Sequence, residues 1–123
     1  MLMAKTIFVI DDEPGVLEEL DAWLSDEGYN VITAQNAFDG LAKLDEIRPN
    51  LIILDIMMPE MDGFEFLSKL KRNFRTSQIP VIMLTAKVES EAIMKAQELK
   101  ATDYVMKPFE TDELLQLIQK YES

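Results

Sequence analysis

The chain of 123 residues contains no cysteine and no histidine. Without cysteine there are no disulfides and no thiolate metal sites, and without histidine the commonest zinc ligand and the usual general base are missing. Any metal must sit among oxygen atoms. Positive charge is also scarce, with 12 Lys and Arg against 23 Asp and Glu and a net charge of −11. That balance argues against polyanionic partners, so direct nucleic-acid binding is not expected. Lys69, Lys71, Arg72 and Arg75 do gather, and read most simply as one solvated helix face. No apolar run approaches the ~20 residues that cross a bilayer. The longest, Leu51 to Met58, is interrupted by Asp55, and Met1-Leu2-Met3-Ala4-Lys5 does not resemble a secretory leader. A cytoplasmic protein without membrane association is expected. Linkers and low-complexity tracts are absent, and the length suits one core.

What the chain does have is a repeated pattern. Four short apolar runs each end directly in a residue capable of chemistry: Ile7-Phe8-Val9-Ile10 in Asp11-Asp12, Leu51-Ile52-Ile53-Leu54 in Asp55, Val81-Ile82-Met83-Leu84 in Thr85, and Tyr104-Val105-Met106 in Lys107. Val31-Ile32 supplies a fifth, short run with no such ending. Between the runs lie helical stripes. Val16, Leu17, Leu20, Trp23 and Leu24 predict a helix from about 14 to 27, stopping near Gly28. Phe38, Leu41, Ala42, Leu44 and Ile47 mark a second helix, ended by Pro49; Phe64, Leu67, Leu70 and Phe74 mark a third; Ile93, Met94, Ala96 and Leu99 mark a fourth; Leu114, Leu115, Ile118 and Tyr121 mark the last.

Five βα units of this length argue for a parallel sheet covered on both faces. The expected fold is α/β, a flavodoxin-like doubly wound (βα)5 domain with strand order 2-1-3-4-5. Val31-Ile32 would be an edge strand. In such sheets ligands bind outside the carboxyl ends of the strands, where three carboxylates, a hydroxyl and an ammonium would converge.

Asp11, Asp12 and Asp55 brought together would repel one another unless a cation intervenes. Magnesium prefers oxygen ligands and is commonly held by one or two carboxylates and a phosphate. Lys107 could pair with an aspartate or a phosphoryl oxygen, and Thr85 could donate a hydroxyl. A metal, a lysine, a hydroxyl and a carboxylate nucleophile suffice for phosphoryl transfer, and Asp55 is the best placed nucleophile. The bland readings are a helix cap for Asp11-Asp12, an ion pair with Lys107 for Asp55, and packing for Thr85, Tyr104 and the eight methionines. Met57, Met58 and Met61 could also form an adaptable partner surface.

Asp11-Asp12, the segment from Leu51 to Pro59 with Asp62-Gly63 after it, Thr85-Ala86, and Tyr104 followed by Lys107-Pro108-Phe109 resemble, in order and spacing, the receiver domains of two-component response regulators. The resemblance covers essentially the whole chain and implies a single receiver domain over residues 1–123, a phosphorylation-controlled switch rather than a turnover enzyme. It implies that Asp55 accepts a phosphoryl group from the phosphohistidine of a sensor histidine kinase or phosphotransfer protein. Asp12, Asp55 and the Met57 backbone carbonyl would hold magnesium, with Asp11 acting through a bound water. Lys107 would contact the phosphoryl oxygen, with the Lys107-Pro108 peptide cis. Thr85 would move to the phosphoryl group and Tyr104 would turn inward behind it, altering the surface of the fourth helix, fifth strand and fifth helix.

That surface would address a downstream protein or an output domain absent from this chain. Lys120 is the only base between Leu114 and Ser123, which disfavours the charged dimer of winged-helix transcription factors on that surface. Met57 and Lys87 occupy positions that often tune phosphoryl loss, and Met57 cannot orient water through its side chain, so slow loss is expected. Lys100 stands where many members have glycine, so the loop into the last strand could differ from theirs. The rival readings are an aspartyl phosphatase, which would want an acid where Met57 stands, and a binding module that has lost phosphorylation.

Overall fold

The computed structural model describes residues 4–85 and 90–122, with Thr85, Ser90 to Ala92 and Ala96 as backbone only. Ten elements alternate along the chain: β1 (Thr6–Ile10), α1 (Pro14–Asp26), β2 (Asn30–Ala34), α2 (Ala37–Leu44), β3 (Leu51–Asp55), α3 (Gly63–Arg72), β4 (Val81–Thr85), α4 (Ser90–Glu98), β5 (Asp103–Met106) and α5 (Thr111–Tyr121). The strands form one parallel sheet in the order β2-β1-β3-β4-β5. This is the expected (βα)5 order, with β2 at an edge.

The apolar runs are continuous because the sheet is buried on both faces. Every residue of β3 is buried, as are the last four of β1, whereas β2 contributes only Ala34. Alternate strand residues face two separate clusters. Phe8, Ile10, Ile52, Leu54 and Met83 pack with Phe66, Leu67 and Leu70 of α3; Ile7, Val9, Ile53, Ile82 and Leu84 pack with Leu17, Leu20 and Leu24 of α1 and with Leu114 and Ile118 of α5. Each such side chain contributes roughly 1.5–3 kcal/mol.

Helix ends follow local chemistry. At the end of α1, Gly28 takes a φ of 97°, its N–H donates to the Ser25 carbonyl at 3.1 Å, and the Tyr29 N–H donates to Leu24 at 3.0 Å. This is the Schellman closure that glycine permits. Asn36 caps α2 by accepting from Asp39 N–H at 2.8 Å, and Asp62 caps α3 by accepting from Glu65 N–H at 2.9 Å.

Three expected stripe residues are not core. Phe38 is 54% exposed, Met94 65% and Phe74 88%. In α2 the buried line runs instead through Ala37, Gly40 and Leu44, with Leu41 half-buried, because the helix packs so closely at Gly40 that a Cβ there would meet Ile10 of the sheet at 3.2 Å and the Phe66 ring of α3 at 3.1 Å. That helix also ends at Leu44 rather than near Ile47: tight turns follow, and the Arg48 side chain donates to the Leu44 and Ile47 carbonyls. α3 ends at Arg72, before Phe74, where Asn73 is extended and the Thr76 hydroxyl takes the Leu70 carbonyl at 2.7 Å.

Candidate functional site

Register brings the strand ends together. Ile10 lies opposite Leu54, Asp55 opposite Leu84, Leu84 opposite Val105 and Thr85 opposite Met106. Asp11, Asp55, Thr85 and Lys107 therefore stand within two positions of one another along the carboxyl edge. A carboxylate oxygen from each of Asp11, Asp12 and Asp55 lies within 4.8 Å of the others. Asp11 is completely buried and Asp55 is 3% exposed; Asp12 is open to solvent.

Neither Asp11 nor Asp12 caps α1. The N-cap residue is Glu13, without a side-chain cap bond. Asp11 instead uses Oδ1 to accept from the Glu13 N–H at 2.9 Å and Oδ2 to accept from Lys107 Nζ at 2.8 Å. The same ammonium donates to Asp55 Oδ1 at 3.3 Å and stands 3.8 Å from Glu13 Oε1. One lysine thus serves two buried acids and a third at the rim. Glu13 was absent from the sequence-derived site; an acid adjoining Asp11-Asp12 was the available signal.

The charges are not balanced by this arrangement. Burial, followed by the Asp11 charge, pushes the Asp55 carboxyl up to about 7, although Lys107 and the Met57 backbone N–H pull it down. For Lys107, burial alone lowers the pKa, but its hydrogen bonds and its attraction to Asp11 and Asp55 outweigh that and raise it. The cluster is short of positive charge.

The loop after Asp55 is fixed by backbone. The Gly63 N–H donates to the Ile56 carbonyl at 2.9 Å, and a Cβ on Gly63 would lie 2.8 Å from Ile56 Cα. Only glycine allows α3 to start this close to the strand. Met58 and Met61 are buried in the core and Met57 is 54% exposed, so of the three loop methionines only Met57 offers surface. It borders a roughly 500 Å³ cleft with Ile56, Pro59 and Phe64.

The Lys107-Pro108 peptide is cis. Tyr104 is half-buried against the α2/α3 side of the sheet. Its N–H donates to Asp103 Oδ1 at 2.9 Å, while Asp103 Oδ2 accepts from the Tyr121 hydroxyl of α5 at 3.1 Å. Lys100 keeps the left-handed conformation usual for glycine, with a φ of 64°. The Thr85 side chain, Ala86 and Lys87 lie outside the described residues.

Residues 7–119 match the sequence profile of the response regulator receiver domain. The chain belongs to that family. This receiver domain is 39% identical over 114 residues to the phosphate regulon transcriptional regulatory protein PhoB of Pseudomonas aeruginosa, covering 93% of this chain and 50% of that protein. It is 38% identical to the DNA-binding dual master transcriptional regulator RpaA of Synechocystis, over 89% of this chain and 45% of that one. The receiver domain spans about half the length of these curated relatives. Among solved structures, chemotaxis protein CheY4 of Vibrio cholerae superimposes with a TM-score of 0.92 at 30% identity, covering 97% of this chain and 99% of that one. A CheY-like receiver domain protein of Methanospirillum hungatei gives 0.91 at 32% identity, covering 98% and 94%. The receiver domain is thus a signalling module of two-component systems, with its acidic cluster on the sheet edge. No helix among the described residues is long and apolar enough to cross a membrane.

Proposed function

We propose that residues 1–123 act as one phosphorylation-controlled switch in the cytoplasm, with Asp55 as phosphoacceptor. The observation that carries this reading is the convergence of Asp11, Asp12 and Asp55 within 4.8 Å around a single lysine. Partners upstream would be a sensor histidine kinase or a phosphotransfer protein.

The site suits magnesium: its side-chain donors are all oxygens, their charges exceed the one ammonium among them, and three converge at ligating distance. Asp12, Asp55 and the Met57 backbone carbonyl would hold the ion, with Asp11 acting through a bound water. When bound it supplies charge neutralisation for the acids and the transferring phosphoryl group. Asp11 is suited to an indirect role because both its oxygens are engaged, by Glu13 and Lys107.

In the transfer an ionised Asp55 oxygen forms a bond to phosphorus as the P–N bond of phosphohistidine breaks, and the imidazole keeps the electron pair and takes up a proton. Lys107, already between Asp11 and Asp55, shifts its donation to a phosphoryl oxygen. The Thr85 hydroxyl then bonds the phosphoryl group and Tyr104 moves further inward. Asp103 ties the Tyr104 backbone to Tyr121, so this movement is felt in α5. The altered α4-β5-α5 surface would address a downstream protein or an output domain.

Incubation with magnesium and a small acyl phosphate, followed by intact-mass measurement, tests the proposal. One phosphoryl adduct on the wild type and none on Asp55→Ala is expected. Absence of an adduct would favour a phosphorylation-independent binding module, and fast turnover of many phosphate esters an aspartyl phosphatase.

A further inference from the structure

At the opposite edge of the sheet the charge reverses. The end of α3 and the turn into β4 carry Lys69, Lys71, Arg72 and Arg75, and Lys100 precedes β5. Lys71 and Lys100 are close enough that the Lys100 charge adds to burial in lowering the Lys71 ammonium. Lys71 also donates to the Ser77 carbonyl at 3.2 Å, and Arg72 to the Ser68 carbonyl at 3.3 Å. None of the five forms an ion pair among the described residues, where the paired cations are Lys43 and Lys107. The helix dipole favours Lys69, Lys71 and Arg72 in the last turn of α3, and Arg75 and Lys100 extend the positive surface beyond that turn in a chain with net charge −11.

The corner also has relief and an apolar anchor. The turn from Asn73 to Gln78 is a ridge between two clefts. Lys69 and Arg75 line one of roughly 220 Å³, whose wall also holds Asp45. Lys71, Arg72 and Lys100 line the other, of roughly 450 Å³, whose wall holds Glu98. On the ridge stands Phe74, 88% exposed, whose ring is covered only if another molecule packs on it. A cationic surface around an exposed aromatic residue fits an acidic, apolar-anchored segment.

We propose that this corner, formed by the α3–β4 turn and Lys100, docks a short acidic segment of a partner protein that carries an apolar side chain to cover Phe74. Charge decides the size of the occupant. A nucleic acid, an anionic bilayer or a second copy of this chain extends well beyond the ~8 Å screening length and meets the remaining negative surface, whereas a short segment meets mainly the basic corner. The strand length places the corner about 17 Å from the acidic cluster. Docking there therefore leaves Asp55 accessible.

Fluorescence anisotropy with a labelled eight-residue peptide of Asp and Glu around two leucines tests the proposal on the whole chain. Binding should weaken roughly tenfold between low and moderate salt, roughly tenfold or more in K69E/R72E/R75E, and several-fold in F74A, while K120E on α5 binds as wild type. All substituted positions are exposed, and circular dichroism checks that the variants stay folded. Acyl-phosphate labelling should proceed equally with and without saturating peptide. Three results would overturn the proposal: no peptide binding at low salt; binding indifferent to the charge reversals; or the same variants abolishing self-association in sedimentation, or binding of a DNA oligonucleotide or phosphatidylserine vesicles, more strongly than peptide binding.

Discussion

Asp55, the proposed nucleophile, carries opposing demands: attack on phosphorus would need it ionised, while burial and Asp11 favour its protonated form. With the folded value at about 7 against an ordinary 3.8, the folded state binds the proton more tightly than the unfolded chain. Its stabilising contribution is complete below about pH 4 and is lost as pH rises through about 7. In a chelating buffer the melting temperature should therefore fall between pH 5 and pH 8, and Asp55→Asn should flatten that fall and melt about 3–6 °C higher at pH 8. A profile unchanged by the substitution would count against the assignment. Met57 makes a second prediction: its thioether is a weak acceptor, exposed beside Asp55, and cannot align water. The phosphoryl adduct should last minutes or longer, and Met57→Asn should shorten it several-fold in a mass-spectrometric time course. Loss within seconds from the wild type would contradict this.

Among the elements, the strands were the most legible in the sequence, because burial on both faces makes their apolar runs continuous and register then aligns the polar residues that end them. The helices were legible in number and order but less so in which face they bury. Phe38, Phe74 and Met94 drew attention as large apolar residues, whereas the packed line of α2 uses Ala37 and Gly40, small residues that count little in a hydrophobic pattern yet permit close approach. Glu13 was missed because its reach to Lys107 depends on a side-chain conformation. The Asp62-Gly63 pair acquires a physical reason only in three dimensions: a cap for α3, and a position where any Cβ meets the backbone of Ile56. Gly63→Ala should cost about 2–3 kcal/mol, read as a lower urea midpoint with an unchanged slope.

For the molecule as a whole, the acids at the carboxyl edge repel one another beyond what Lys107 offsets, so the fold should gain from a bound divalent ion. At tenfold above its dissociation constant, magnesium should stabilise by about 1.4 kcal/mol, raising the melting temperature by several degrees at pH 8. D12A should lose most of that gain. Equal stabilisation of wild type and variant would show that the ion binds elsewhere. The location of the site could be argued from sequence at this scale, since parallel topology gathers all strand ends on one edge. The basic corner could not, because Lys100 is separated from Lys71 by 29 positions along the chain and joins it only in the folded chain, where both line one cleft.

The last turn of α5 is stitched to the residue that precedes β1. Lys5 donates to the Glu122 carbonyl at 3.4 Å across 117 positions, and the Tyr29 hydroxyl donates to the Glu122 carboxylate. Lys5 and Glu122 thus share one corner, on the edge remote from Asp55. A fluorophore attached at position 5 lies beside position 122 and clear of the acidic edge. Linking position 5 directly to position 122 and reopening the chain in an exposed turn is consequently a rearrangement this topology can accept.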